Sequence, residues 1–211
     1  MLIRIHPETP DPRQVAKVVE VLRDGGVIIY PTDGVYAFGC DCTKAKAVER
    51  VAKLKGIKPE KANFTFVFDE MSRLKDYTRP VDTVVFKLFK SCLPGPYTFI
   101  LNANNNVPKL FKNTKKTLGI RIPENKICRA IVTALDGPII SSSVHDDDEF
   151  MEYTTDPELI HERYKDMVDL IVDGGYGALV PSTIIDCSEE HPVLIRLGAG
   201  AVDLEDTSEE W

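Results

Sequence analysis

The stretch Val27-Ile28-Ile29-Tyr30-Pro31-Thr32-Asp33-Gly34 joins a short apolar run directly to a polar turn. The run has four residues, three of them β-branched, and a proline stops it. It therefore predicts a buried strand rather than a helix. Residues 31–34 then predict a loop, because proline, aspartate and glycine favour turns over regular structure.

Helical patterns lie on both sides of this strand. Asp11 and Pro12 resemble a helix cap and a first-turn proline, and apolar residues at helical spacing continue until Gly25-Gly26. Beyond the loop, the pattern is helical again from Thr43 until Gly56 ends it. The strand therefore lies between two amphipathic helices.

The same alternation extends along the rest of the chain. Helices are predicted around 81–88, 127–135 and 158–167, and strands at 64–68, 97–101, 118–122, 138–142, 168–172, 183–186 and 193–196. This order indicates the α/β (α+β) class, with layers of helix and sheet. Because no linker separates domains, we expect a single domain over residues 1–211 that ends in a frayed acidic tail at 203–211.

Composition limits the classes of protein that fit. The 211 residues are 43% hydrophobic, which is enough for one core, and a net charge of −7 argues against a surface that binds nucleic acid or anionic lipid throughout. The longest apolar run has four residues and the start has no secretory pattern, so we expect a soluble, cytoplasmic protein without membrane contact. The five cysteines include no CxxC pair and are interpreted as reduced thiols.

Two segments are basic although the chain is acidic. Residues 44–61 carry seven basic side chains against two acidic ones, and residues 109–126 carry six against one. Because screening lets local charge dominate, such segments suit a cleft for a phosphate-rich ligand, either a nucleotide or a larger RNA. The alternative is two ordinary solvated faces.

Common signatures of nucleotide and hydrolase sites are absent. The chain contains no GxxxxGK[ST], GxGxxG, HExxH or GxSxG sequence. The run 146–149, of three aspartates and one glutamate, would suit Mg²⁺ but is more typical of a solvated loop. No metal site is predicted, and Mg²⁺ is expected only as the ion that accompanies a bound nucleotide.

An ordered set of short motifs is nevertheless present along most of the chain: residues 30–36 (YPTDGVY), 53–59 (KLKGIKP), 93–98 (LPGPYT), 119–123 (GIRIP), 141–143 (SSS), 181–186 (PSTIID) and 195–198 (IRLG). Over residues 12–202 the sequence resembles the YrdC-like family, whose best-known members are threonylcarbamoyl-AMP synthases. The resemblance implies a twisted mixed sheet flanked by helices, with a basic concave cleft. It also implies a reaction of ATP, L-threonine and bicarbonate, linked to tRNA modification, with no tightly bound cofactor.

The resemblance assigns four residues to threonine. Thr32 and Tyr36 fall in the segment that resembles the threonine-holding loop, and Ser182 matches the serine of a Ser-Thr pair. Arg121 matches an arginine before an Ile-Pro pair, where a guanidinium would suit a substrate carboxylate and act in catalysis. The alternative roles are a cap for Thr32, an acidic partner for Arg121 and a strand start for Ser182.

Five residues are assigned to ATP by the same resemblance. Lys55 matches the lysine of a Lys-x-Arg motif that contacts phosphates and serves catalysis, with Lys58 beside it. Ser142 matches the serine of a Ser-x-Asn motif, with Ser143 next to it, and Arg196 matches a late arginine near the nucleotide. Cations and hydroxyls that neutralise phosphate suit an attack on the α-phosphate without a covalent nucleophile.

The residues at these motif positions are most similar to those of a YciO-type branch of the family. Lys-x-Arg reads Lys55-Gly56-Ile57, and Ser-x-Asn reads Ser142-Ser143-Val144. The branch also matches residues 31–33, 63–65, 94–101 and 174–176. Two alternatives to a synthase therefore remain open: a protein that binds transfer RNA or double-stranded RNA without synthase activity, and a relative that uses a different small substrate. The oligomeric state is not predicted.

Overall fold

A computed structural model describes residues 1–58, 64–108, 116–144 and 155–202. Within these ranges ten strands form one sheet: β1 (Leu2–Arg4), β2 (Ile28–Tyr30), β3 (Ala37–Asp41), β4 (Thr65–Val67), β5 (Tyr97–Asn102), β6 (Thr117–Arg121), β7 (Ile139–Ser143), β8 (Leu170–Asp173), β9 (Thr183–Asp186) and β10 (Val193–Arg196). The helices are α1 (Pro12–Arg23), α2 (Ala45–Leu54), α3 (Thr83–Cys92), α4 (Lys126–Leu135) and α5 (Pro157–Tyr164), and a 3-10 helix spans Met71–Asp76.

The sheet is mixed, as predicted. Its strand order is β1-β8-β2-β3-β7-β4-β6-β5-β9-β10. Four neighbouring pairs run parallel, namely β1 with β8, β2 with β8, β4 with β6 and β5 with β9, and the other five are antiparallel. Strand alternation directs successive side chains to opposite faces, so each face can be covered by its own helices.

Helices cover both faces of the sheet. One face packs α2, α3 and α5 against a large cluster that includes Phe38, Phe66 and Phe99. The opposite face packs α1 and α4 against a smaller cluster that includes Ile28 and Tyr30. The mixed α/β fold expected from the sequence is therefore confirmed.

Local signals account for the starts of several helices. The Asp11 side chain accepts the N–H of Arg13 at 2.8 Å, and Pro12 opens α1, as the sequence predicts. The Asn125 side chain accepts the N–H of Cys128 at 2.9 Å and so caps α4. The last predicted helix was too long, because α5 ends at Tyr164.

Three elements were not expected. Strand β1 has only three residues, and β3 reads AFGCD, which is poor in β-branched side chains. The sequence of the 3-10 helix also shows no clear helical spacing of apolar residues.

All five cysteines are buried and free, in agreement with the interpretation as reduced thiols. Across the described ranges, no helix combines the length and apolar character needed to cross a bilayer.

Candidate functional site

The loop between β2 and β3, residues 31–36, contacts three other segments of the chain. The Thr32 hydroxyl donates to the carbonyl of Val35 at 2.8 Å and accepts the N–H of Gly34 at 3.1 Å, so it fixes the turn from inside. The Thr32 carbonyl accepts from the Asn125 side chain at 3.2 Å. Thr32 is therefore buried in a braced turn, which matches the capping alternative and leaves its contact with threonine a prediction.

Tyr36 ties this loop to the segment after β8. Its hydroxyl donates to the carbonyl of Gly175 at 2.6 Å and accepts the N–H of Gly174 at 3.1 Å. Burial raises the pKa of the Tyr36 phenol to about 12, although the Gly174 N–H acts in the opposite direction. Gly34 adds a backbone contact, since its carbonyl accepts the N–H of Ala178 at 3.1 Å. The loop is thus held along residues 174–178.

Arg121 lies at the end of β6 and is only 8% exposed. Its Nη2 forms an ion pair with Oδ1 of Asp33, and Oδ2 of Asp33 accepts the N–H of Glu124 at 2.9 Å. Arg121 Nε is buried and finds no hydrogen-bond partner among the residues that the structure describes. An unmet buried donor is costly, so Nε is a polar group that the described residues leave unsatisfied.

Ser182 lies immediately before β9 and is also buried. Its hydroxyl lies 2.8 Å from the Thr98 hydroxyl of β5. The Ser182 carbonyl accepts from Nη2 of Arg196 at 2.9 Å and from Nε at 3.3 Å. Ser182 and Arg196, which the sequence assigned to threonine and to the nucleotide, are therefore in direct contact.

Two threonines lie near Gly119 in the middle of the sheet. Gly119 of β6 pairs with Thr65 of β4 and with Ile100 of β5. A Cβ on Gly119 would lie 3.2 Å from the Thr65 hydroxyl oxygen and 3.5 Å from Cγ2 of Thr98. Glycine therefore leaves a shallow recess between two threonines, on the face opposite Phe99.

Ser142 and Ser143 lie at the end of β7 and are half-buried. Ser143 pairs with Ala37, and the next N–H, of Val144, donates to the carbonyl of Tyr36 at 2.9 Å. Alternation gives Ser142 the same face as Val144, which belongs to the core cluster under α2. The two serines thus adjoin the base of the 31–36 loop.

Lys55 and Lys58 follow α2. Lys55 is half-buried at the C-terminal cap of the helix, and Lys58 is exposed. Their neighbours at 59–63 lie outside the described residues, as do residues 109–115 of the second basic segment and the acidic run 146–149. Among the described residues, no cluster of three or more His, Cys, Asp or Glu side chains has the geometry to hold a metal ion.

Asp33 is a site residue that sequence reasoning missed. It lies in the β2–β3 loop beside Thr32, but its partner Arg121 is 88 residues away along the chain. The alternative of an acidic partner for Arg121 was anticipated, although as a surface contact. The side chains of Arg121 and Asp33 are only 10% and 7% exposed, so the pair is buried.

Comparison with known sequences identifies the family. The model for Sua5/YciO/YrdC proteins, described as "Telomere recombination", matches residues 20–198. The Escherichia coli (strain K12) protein named YciO is 42% identical over 200 residues, which cover 94% of this chain and 95% of that protein. The threonylcarbamoyl-AMP synthase of Halorhodospira halophila is 31% identical over 139 residues, or 66% of this chain and 72% of the synthase.

Solved structures agree with these sequence matches. The crystal structure of E. coli YciO superimposes with a TM-score of 0.88 at 41% identity, over 95% of this chain and 97% of that one. The P. abyssi Sua5 structure complexed with L-threonine has a TM-score of 0.84 at 24% identity and covers 94% of this chain and 57% of its own, which shows the shared fold. The family match and the identity to YciO confirm the prediction, and the chain belongs to the Sua5/YciO/YrdC family.

Proposed function

We propose that this protein is an ATP-dependent nucleotidyltransferase of the threonylcarbamoyl-AMP synthase type. Its substrates would be ATP with Mg²⁺, L-threonine and bicarbonate. The threonine nitrogen and bicarbonate would form a carbamate with loss of water. A carbamate oxygen would then attack the α-phosphorus of ATP as the bond to pyrophosphate breaks. The product would be the activated donor for tRNA modification.

The observation that carries this proposal is the buried Arg121 at the end of β6, where the pairing of Ile120 with Phe99 brings Arg121 near Thr98, the partner of Ser182. Arginine binds carboxylates through directed N–H groups, and the unmet Nε has no partner within the described chain. Ser182 and Thr98 supply hydroxyls that can donate or accept. A small polar ligand with one carboxylate and one hydroxyl, such as threonine, suits these groups.

In this proposal the phosphates of ATP are bound by five residues: Lys55, Lys58, Ser142, Ser143 and Arg196. Arg196 already contacts the carbonyl of Ser182, so a nucleotide beside it would lie next to the amino-acid groups. Lys55 ends a helix whose flanking residues are rich in lysine. Cations there would neutralise the charge that develops on the leaving pyrophosphate.

Thermal unfolding tests the proposal through binding. A ligand at a hundredfold excess over its Kd stabilises a protein by about 2.7 kcal/mol, which is several degrees for a chain of this size. ATP and threonine together should raise the Tm of the wild type, and Lys55→Ala should lose the part due to ATP. Lys17→Ala, at an exposed lysine of α1, serves as the matched control. No shift with either ligand in the wild type would contradict the proposal.

RNA binding is a second candidate function, favoured by the lysines on and around α2. Lys46, Lys53 and Lys58 are exposed there. An RNA bound through them would release counterions, so affinity should fall steeply as salt rises. Titration of transfer RNA between about 50 and 200 mM salt tests this. A flat response, or loss of binding only when threonine is removed, would exclude it.

A further inference from the structure

Asp33 connects two segments that carry candidate site residues. One carboxylate oxygen pairs with Arg121 Nη2, and the other accepts the N–H of Glu124 at 2.9 Å. The neighbouring Thr32 carbonyl adds a third bond, from the Asn125 side chain. The β2–β3 loop is therefore fastened to the junction between β6 and α4 at the point where Arg121 leaves the sheet.

These contacts fix one nitrogen of the Arg121 guanidinium but do not use all of its N–H groups. Asp33 contacts it at Nη2, whereas Nε is buried without a hydrogen-bond partner in the described part of the chain. The Arg121 side chain keeps 10% of its surface exposed, and because Nε is buried, this surface lies on other atoms of the side chain, where a ligand would make its first contact. Anchoring Nη2 in addition to the covalent link at Nε restricts rotation of the group, so that its planar set of N–H groups points in a narrower range of directions.

We infer that Asp33 is a positioning residue for the carboxylate of the amino-acid substrate, because it orients the Arg121 guanidinium that binds this carboxylate. The inference rests on the proposed function, since it presumes that an amino acid binds here. Asp33 does not itself take part in the chemical step. It holds Arg121 in one orientation before the substrate arrives, which lowers the cost of ordering the site.

The charge of the pair also limits the ligand class. Asp33 and Arg121 together are neutral, so this pair offers no surplus positive charge to a polyanion. A zwitterionic amino acid with one carboxylate suits it better than a phosphate or a dicarboxylate, because each added negative charge would be repelled by Asp33. Phosphates would then bind nearer the lysines after α2.

Asp33→Asn tests the inference while keeping the shape of the side chain. An amide has one acceptor where the carboxylate has two, so it would present an N–H to either Arg121 or Glu124. Titration calorimetry should show threonine binding weakened about tenfold or more, with ATP affinity changed less than about twofold. In turnover, KM for threonine should rise more than kcat falls. Asp33→Glu should recover part of the affinity.

The matched control is Glu8→Gln, which removes the carboxylate of the exposed Glu8–Lys126 pair. It should leave both affinities unchanged. If Asp33→Asn folds and binds threonine as the wild type does, the inference is wrong and Asp33 serves stability alone. If Asp33→Asn is unfolded, Asp33→Ser takes its place, because serine keeps a small polar side chain without the charge. Threonine affinity and KM identical to the wild type in folded Asp33→Ser would overturn the inference.

Failure of the proposed function has a different signature. If wild-type protein binds no threonine, that proposal fails, and the orientation of Arg121 is then judged by the ¹⁵N NMR signal of its Nε–H. One sharp, slowly exchanging signal in the wild type that broadens in Asp33→Asn would still support orientation by Asp33. An identical signal in both proteins would overturn it.

Discussion

Arg121 is the residue whose removal should disturb the molecule most. Arg121→Ala would leave the buried Asp33 carboxylate without its cation, and breaking a buried pair in this way costs about 3–5 kcal/mol. Urea unfolding should show this loss, whereas Lys126→Ala, which breaks an exposed pair, should cost less than about 1 kcal/mol.

The double variant Arg121→Ala/Asp33→Ala sharpens this prediction. Since it leaves no unpaired charge, it should be more stable than Arg121→Ala alone. Equal or lower stability of the double variant would contradict the account of the pair as a mutually dependent unit.

The sequence identifies those site residues that belong to a family motif, but it does not identify their contact partners elsewhere in the chain. Arg121, Ser182 and Arg196 were selected by motif, and the structure brings Ser182 and Arg196 into contact. Asp33 was missed because nothing local marks an aspartate in a turn as the partner of an arginine 88 positions away. Thr98 was missed for the same reason, since its contact with Ser182 arises only when β5 and β9 pair.

At the scale of elements, a glycine in β3 leaves room for the side chains of both neighbouring strands. A Cβ on Gly39 would lie 2.7 Å from a ring carbon of Tyr30 in β2 and 3.0 Å from a methyl of Ile139 in β7. Gly39→Ala should therefore lower the free energy of unfolding by about 1–3 kcal/mol through overpacking. Gly137→Ala, where no heavy atom lies within 4 Å, is the control and should change stability by less than about 0.5 kcal/mol. Equal effects of the two changes in urea unfolding would refute this packing model.

Tyr36 couples the stability of the loop to alkaline pH. Burial raises its pKa from 10.0 to about 12, so the unfolded chain loses this proton first. The contribution of the protonated Tyr36 phenol to the free energy of unfolding is complete below about pH 10 and is lost as pH rises through 12. Tyr36→Phe should destabilise the protein at pH 8, by about 1–3 kcal/mol, because Gly174 N–H loses its acceptor.

The pH dependence distinguishes this from a simple packing loss. The gap in stability between wild type and Tyr36→Phe should narrow between pH 10 and 12, as measured by urea unfolding at several pH values. Tyr176→Phe, at a side chain that is 82% exposed, should show no such gap. A gap that stays constant up to pH 12 would argue against the raised pKa.

Elements with strong local signals were predicted well, and elements that depend on pairing were not. Helix α1 has a capping aspartate, a first-turn proline and apolar residues at helical spacing. Strand β3 has a glycine and an aspartate in five residues, and it is a strand because β2 and β7 pair with it on either side. Strand β1 is likewise defined by its pairing with β8.

At the scale of the whole molecule, the candidate site is assembled from segments far apart in sequence. The β2–β3 loop meets the end of β6 through Asp33 and the residues after β8 through Tyr36. Ser182, just before β9, contacts Thr98 of β5. Recognition of the family from scattered motifs succeeded because those motifs mark these segments. The geometry between them follows from the strand order, which local sequence patterns do not encode.

Threonine-dependent release of pyrophosphate tests the central claim most directly. The purified protein would be incubated with Mg²⁺, γ-labelled ATP, bicarbonate and threonine. We expect release of labelled pyrophosphate that requires threonine and is lost in Lys55→Ala but retained in Lys17→Ala. Binding of ATP and threonine without any release of pyrophosphate would contradict it.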